Sequence, residues 1–381
     1  MTTKQIMNTL ESKDWSFPDE SSRGDITDLH PYPARFIPPI PENIICEFSN
    51  KKLNILDPFA GCGTTLRVGL GLGHNVFGID VNGLASLLQR VYTSIYSDND
   101  LLIFDNIANK IISTLRVKRH SNQIESTIPN INHWFDENAQ QILLLSVHEI
   151  NASKANERIL DLLKFAVSRI TVRISNQKSN TQYVAINKNQ DRDRMISILS
   201  ESFRLVSSRF KENVESQLWE GSSTVILGDA RDTDSYADIK DIDLIVTSPP
   251  YPNAYEYWLY HKYRMFWLGL DPLWARSREI GARPFYSGTG KKDEFDFQND
   301  LQQILHHLHG ITKPDALQFW VIGNSIIKGR HIDNTKILTD ACRVTGWQVT
   351  NTMQRIVNRN KSSFQGIGRQ GVEHILVIEK A

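Results

Sequence analysis

The chain has 381 residues, 40% hydrophobic and 23% charged, with Lys+Arg and Asp+Glu both totalling 43. That length carries a full domain core plus an insertion, and the balanced charge gives no overall pull toward an anionic partner, which only a local basic face could supply. Cysteines at 46, 62 and 342 have no metal or redox spacing, and neither a membrane-length apolar run nor a signal-peptide core is present, so a reducing, cytoplasmic setting without metal or membrane is expected.

Residues 1–27 are polar, include Ser21-Ser22-Arg23-Gly24 and read as a loose arm. His30 to Pro41 then holds five prolines in twelve residues, which predicts extended backbone. Leu53 to Asp57 reads as a first strand, 64–72 as a helix and 75–79 as a second strand, giving a βαβ unit. Between them lies Asp57-Pro58-Phe59-Ala60-Gly61-Cys62-Gly63-Thr64-Thr65. Gly61 and Gly63 suit positive φ and close approach to a ligand, and Thr64 or Thr65 suits a helix cap. Neither the phosphate-loop ending nor the dinucleotide spacing is present, so a phosphate-poor nucleotide cofactor fits this turn. Asp80 closes the second strand about twenty residues later, where a carboxylate can accept both hydroxyls of a ribose.

The next comparable strand, Thr224 to Leu227, comes only after a long helix-patterned stretch. Leu143, Val147 and Ile150, then Ile159, Leu162, Leu163, Ala166, Val167 and Ile170, then Ile196, Leu199, Phe203, Val206 and Phe210 recur at three- and four-residue spacing. Residues 99–220 therefore read as an inserted helical subdomain. Within it, Lys164 to Arg194 holds seven basic residues against two acids, Arg169, Arg173 and Lys178 among them. Such a run is either a solvated face or a nucleic-acid contact. Trp134 and Phe135 read as core.

Thr224 to Leu227 feeds Gly228-Asp229-Ala230, and the strand Asp243 to Thr247 stops at Ser248-Pro249-Pro250-Tyr251. The two prolines donate no N–H and fix φ, so the carbonyls near Ser248 and Pro249 are offered outward as acceptors beside an aromatic ring. That pair suits a planar amine with two N–H donors, such as a flipped-out nucleobase; a strand end capped by a tyrosine gives the same letters. An aromatic helix follows over Tyr255 to Gly269. Leu317 to Ile322 reads as a fifth strand, and 347–357 and 373–379 as a closing antiparallel pair. The basic loop between that pair carries Arg359, Lys361 and Arg369 without an acid, either a second nucleic-acid contact or a mobile loop.

Taken together, Phe59 to Gly63 and Ser248 to Tyr251 resemble the glycine loop and the Ser/Asp-Pro-Pro-Tyr motif of the S-adenosylmethionine-dependent DNA methyltransferases that methylate amino nitrogens. The serine before the prolines is similar to the cytosine-N4 branch; adenine N6 is the nearest alternative. His30 to Phe36 resembles the segment preceding the glycine loop, and Thr224 to Ala230 the cofactor-adenine strand. The resemblance covers about residue 28 to the C-terminus. It implies an α/β class I methyltransferase fold, a Rossmann-like, mostly parallel seven-stranded sheet with the helical insertion between its second and third strands. Residues 28–98 and 221–381 would form the catalytic domain.

It further implies S-adenosyl-L-methionine as cofactor. His30, Pro31, Arg35, Phe36, Asp57, Pro58, Phe59, Gly61, Gly63, Thr64 and Thr65 would lie at the cofactor site, with Asp80 on the ribose and Asp229 and Ala230 at the adenine. Arg35 is either solvated or paired with a carboxylate or a DNA phosphate. Ser248, Pro249, Pro250 and Tyr251 would hold the target base, and double-stranded DNA would meet Arg169, Arg173, Lys178, Arg359 and Lys361. A companion restriction endonuclease is the implied partner. An RNA-base methyltransferase and a catalytically silent DNA-binding module remain as other readings.

Overall fold

The computed structural model describes residues 3–17, 26–48, 50–117, 128–180, 182–212, 219–253, 255–287, 289–357 and 371–381. Arg359, Lys361 and the rest of the basic loop at 358–370 lie outside these. Nine strands are present among the described residues: β1 (Asn54–Asp57), β2 (Asn75–Asp80), β3 (Ser223–Leu227), β4 (Ile242–Thr247), β5 (Thr312–Gly323), a small hairpin of β6 (Ser325–Ile327) and β7 (Arg330–Ile332), β8 (Trp347–Val357) and β9 (Gly371–Lys380). Seven of them form one sheet in the order β3-β2-β1-β4-β5-β9-β8. The first five are mutually parallel, while β9 runs antiparallel to both β5 and β8. The architecture is the expected one, with one refinement: only β9 is reversed, because it returns as a hairpin from β8 and wedges between β8 and β5.

The strands read well from sequence because both sheet faces are covered. Side chains alternate between two buried clusters: Ile55, Val76, Leu244, Val246, Phe319 and Val377 on one face, and Leu56, Ile79, Ile245, Trp320, Leu376 and Ile378 on the other. The second face is covered by the helices Glu294–Ile311 and Asn334–Val344 through Leu301, Ile304, Leu305, Leu308, Leu338 and Ala341. The first face is covered by Pro39–Cys46, by Thr64–Gly71 and by a helix that the sequence reading missed, Thr3–Glu11.

The N-terminal segment is thus no loose arm over 3–17. Ile6, Leu10 and Trp15 are buried in the sheet cluster, and the Trp15 indole donates to Leu10 O at 3.0 Å. Ile6 and Leu10, one turn apart, were the available signal. The proline segment also departs from expectation at its end. Pro39 and Pro41 fall in the first turn of a helix, where a missing N–H costs nothing.

β2 and β3 are parallel neighbours, so a crossover must join them, and the 142 intervening residues of sequence, 81–222, supply it. Asp98–Val117, Glu137–Ala152, Glu157–Thr171 and Arg192–Lys211 are its long helices. Their apolar stripes join one buried cluster with Leu84, Leu88 and Tyr92 of the helix Gly83–Tyr92 and with Tyr263, Met265 and Trp267 of the helix Tyr257–Trp267. Trp134 and Phe135 sit in it, as core. The insertion is therefore welded to the catalytic-side helices. Strand order changes direction between β1 and β4, which puts a ligand crevice at their carboxyl ends.

Candidate active site

The glycine turn opens at the end of β1. Asp57, 3% exposed, accepts from the Thr247 hydroxyl at 2.6 Å and from Phe59 N at 3.1 Å. Burial pushes its carboxyl up to about 6 against those hydrogen bonds. Gly61 and Gly63 have φ of +51° and +90°. A Cβ on Gly63 would sit 3.0 Å from Gln89 Cγ and 3.2 Å from Gln89 Cα, so the turn needs glycine for conformation and for space. Gly63 itself takes the helix N-cap position. Neither threonine caps: Thr65 donates to Val246 O at 3.3 Å, and Thr64 is buried beside the Cys62 sulfur.

Asp80 organises the other wall. Its two carboxylate oxygens accept Gly61 N and Asn82 N, each at 2.8 Å, and the Gln89 amide donates to Gly61 O at 2.9 Å. Burial, reinforced by the charge of Asp57 and opposed by the two amides, holds Asp80 at about 6. Two carboxylates kept this close to neutrality suit a ligand that brings positive charge and hydroxyl donors. S-adenosylmethionine, with a sulfonium, an ammonium and a ribose diol, is such a ligand, and Asp57, Asp80 and the 59–63 backbone would hold it.

At the end of β4, Ser248 is half-buried and Pro249 buried. The Tyr251 ring is anchored by its hydroxyl, 3.3 Å from Val321 O and 3.3 Å from Glu373 Oε1. Burial and the Glu373 charge push this phenol well above its usual range. Gly323 makes room for the ring: a Cβ there would lie 3.0 Å from Tyr251 Cε2. Glu373 is held in turn by Arg355 at 3.2 Å across the β8–β9 pair.

Behind this edge, the buried Glu279 carboxylate accepts Tyr257 N at 2.7 Å and Trp258 N at 3.0 Å, capping the aromatic helix from twenty residues downstream. Burial raises it to about 8, with Asp80 and Glu256 adding to the rise. Gly281 O accepts Asn253 N at 2.9 Å, so the same strap braces the turn after Tyr251. Glu279 and Glu373 carry no sequence signal, since each acts on a residue far away in the chain.

The proline segment does lie over the glycine turn, through a residue not singled out from sequence. The Tyr32 ring is in van der Waals reach of Gly61 and stacks on His261 and Tyr257, with centroids at 4.9 and 5.8 Å. The other residues singled out in this segment have contacts of their own. His30 is buried and neutral, bonded to the Ser168 hydroxyl at 2.8 Å and to Pro31 O at 3.0 Å. Arg35 pairs with Asp28 and donates to Thr27 O, and its charge also acts on Cys62 of the glycine turn. Phe36 packs into the sheet cluster, Pro31 lines a basic cavity beside the insertion, and Pro58 is buried.

Asp229 departs furthest from expectation. Its carboxylate is gripped by Arg231 at 2.7 and 3.0 Å and lies 3.5 Å from Arg278, and these contacts hold its pKa down against burial. With 1% of its side chain exposed, it serves as a strut; Ala230 next to it is buried as well.

The basic stretch divides. Arg169 turns inward, donating to Leu29 O at 2.5 Å and to the Ser202 hydroxyl at 2.8 Å, while also lining the basic cavity. Arg173 and Lys178 are exposed; Arg173 has Glu201 at 3.8 Å.

Parallel strand order with one reversed strand, the glycine turn after β1 and the acid closing β2 together define a class I methyltransferase fold. A family model named for N6/N4 methyltransferases and described as DNA methylase matches residues 3–84. The type II methyltransferase M.BsoBI of Geobacillus stearothermophilus is 26% identical over 326 residues, covering 78% of this chain and 62% of that protein. The match thus spans less than two thirds of that relative. The type II methyltransferase M.MvaI of Kocuria varians is 23% identical over 366 residues, covering 82% of this chain and 79% of that protein. A solved TehB-like S-adenosylmethionine-dependent methyltransferase from Corynebacterium glutamicum aligns over 90% of this chain and 87% of its own, at 10% identity and a TM-score of 0.31, too distant to add to the strand order. Residues 3–84 thus match the DNA methylase family model, and over most of its length the chain is similar to two type II methyltransferases.

Proposed function

We propose that the chain methylates the exocyclic N4 of cytosine in double-stranded DNA at a specific site, as the modification half of a restriction-modification pair with a companion endonuclease. The observation that carries this reading is the 2.6 Å hydrogen bond from Thr247 to Asp57, which ties the strand leading into Ser248 directly to the glycine turn. Cofactor pocket and amine acceptors then share one rigid sheet edge.

An aryl amine is a poor nucleophile because its lone pair is delocalised into the ring. The Ser248 oxygen and the Pro249 carbonyl accept its two hydrogens, which favours the tetrahedral nitrogen of the transition state. Tyr251, pinned by Val321 O and Glu373, keeps the base plane fixed while the acceptors work. Asp80, which already fixes Gly61 N, would orient the ribose, and the Asp57–Phe59 turn would bound the methionine side. When bound, the cofactor supplies an electrophilic methyl group on a sulfonium sulfur. The protein's part is alignment and exclusion of water.

Incubation with unmethylated DNA and methyl-labelled cofactor, followed by nucleoside analysis, tests the proposal. N4-methylcytosine is the expected product. N6-methyladenine would move the chain to the other branch of the family, and label confined to RNA, or no label, would refute it.

A further inference from the structure

Three cations at the junction of the insertion and the aromatic helix have no carboxylate within ion-pair reach among the described residues. Arg264, 1% exposed, donates to Ser168 O at 3.0 Å, to Tyr260 O at 3.1 Å and to the Asn180 side-chain oxygen, and its remaining polar neighbour is His261 at 3.4 Å. Burial alone brings it down to about 9. Arg169 spends its donors on Leu29 O and the Ser202 hydroxyl. Lys188 donates to Val172 O at 2.6 Å and is brought down to about 8 by burial. A buried charge without a counter-ion is strongly unfavourable, and neutral acceptors offset only part of that. Arg264 is fully buried while Arg169 and Lys188 are partly exposed, and positive charge gathered here without a carboxylate partner among the described residues suits an anionic ligand.

There is a place for one. Arg169 and Lys188 line a cavity of about 290 Å³ together with Pro31, Arg173, Lys178 and Asn180, and no acid lines it among the described residues. A water claims roughly 30 Å³ in the liquid, so a hydrated phosphate fits. Lys178 and Arg173 stand exposed on it as point and fork donors. Asn180, whose side-chain oxygen is occupied by Arg264, keeps its amide N–H groups for a ligand while relaying the buried charge toward the cavity.

We propose that this cavity binds one phosphodiester of the DNA backbone, an assignment that rests on the DNA substrate proposed above. Pro31 is a wall of the cavity, and its neighbour Tyr32 stacks over the glycine turn on His261, which itself touches Arg264. The phosphate seat is therefore contiguous with the catalytic edge through packed side chains.

The test is the salt dependence of binding to a labelled 30-base-pair duplex by the full chain, by Lys178→Ala, by Arg173→Ala and by the double variant. A single shared phosphate predicts that the slope of log K against log salt falls by about 0.9 in the double variant and by no more than that in either single one. Cofactor affinity should not change. A parallel arm measures whether inorganic phosphate raises the melting temperature above chloride at equal ionic strength, in wild type but not in the double variant. A fall near 1.8 would mean two independent surface contacts and overturn the single-phosphate site. An unchanged slope with intact wild-type binding would overturn the site and leave the DNA reading standing. Stabilisation by free phosphate without any slope change would assign the cavity to a small anion instead of DNA. Failure of the wild type to bind duplex would overturn the DNA reading and this site with it.

Discussion

Asp80→Asn, compared with Asp80→Ala, probes the cofactor wall most directly. The Asp80 carboxylate already accepts two backbone amides at 2.8 Å, and each oxygen keeps a second lone pair for a ribose hydroxyl. A hydrogen bond to a charged group contributes about 1.5–3 kcal/mol, so losing both ribose bonds in Asp80→Ala should weaken cofactor binding by at least about a hundredfold. The alanine also leaves Gly61 N and Asn82 N unmatched, which loosens the glycine turn and lowers stability by about 1–3 kcal/mol per amide. Asp80→Asn keeps one acceptor and should lose about ten- to a hundredfold. The pH dependence sharpens the test.

Burial holds both Asp80 and Asp57 near 6. These folded values lie above the unfolded carboxylate range, so the free protein loses stability as pH rises from about 4 to 6 and the two groups ionise. A ligand that selects the ionised pair must bind more tightly as pH rises through the same window. The wild-type dissociation constant should therefore fall by up to two decades per pH unit below 6 and level off above it. In Asp80→Asn that slope should drop toward one decade, leaving Asp57 alone. Calorimetric titration from pH 5 to 8 measures both. Equal affinities, or a wild-type constant flat across pH 5 to 7, would show that the ribose is held elsewhere.

Other outcomes follow from the anchored edge. Ser248→Ala should slow single-turnover methyl transfer by about tenfold without changing cofactor affinity, because one acceptor of about 1.5 kcal/mol is lost at the transition state. Tyr251→Phe loses the hydroxyl contacts to Val321 O, Glu373 and Ser248 but keeps the ring and should keep most activity, whereas Tyr251→Ala loses a stacking contact of about 1–3 kcal/mol; turnover and DNA affinity separate the two. Gly323→Ala should push the Tyr251 ring aside and lower kcat with the fold intact by circular dichroism, since the added Cβ meets that ring at 3.0 Å. Glu279→Gln should flatten the stability profile between about pH 4.5 and 8. The carboxyl sits near 8, above its unfolded value, so wild type loses stability as pH rises from about 4.5 to 8 and the variant should not, as thermal melts at pH 5, 7 and 9 would record.

The sheet and the glycine turn were legible because their letters act locally. Apolar runs such as Leu244 to Val246 bury both faces at once, and Gly61 and Gly63 meet a backbone need within the turn itself. What failed was direction. A count of charges between Lys164 and Arg194 cannot tell Arg169, folded back onto Leu29, from Lys178, which faces out. Asp229 carried the right residue at the right strand end, yet Arg231 two residues on claims it. Tyr32 and Glu279 escaped notice because their partners, Gly61 with His261 and the amides of Tyr257 and Trp258, lie elsewhere along the chain. The helix Thr3–Glu11 was missed on composition, since two apolar residues in one turn looked too few to bury.

That helix also sets an order of events during synthesis. Ile6, Leu10 and Trp15 share their buried cluster with Met353, Ile375 and Val377, and Glu11 meets Asn351 on β8. A ribosome adding about 5–20 residues per second needs tens of seconds to travel from one partner to the other. Before then the helix can share its cluster only with the earlier members, such as Ile40, Ile44 and Ile55, and lacks the outer strands. Closing this cluster joins residues 340 positions apart, so the N-terminal helix reaches its full burial only once β8 and β9 are paired.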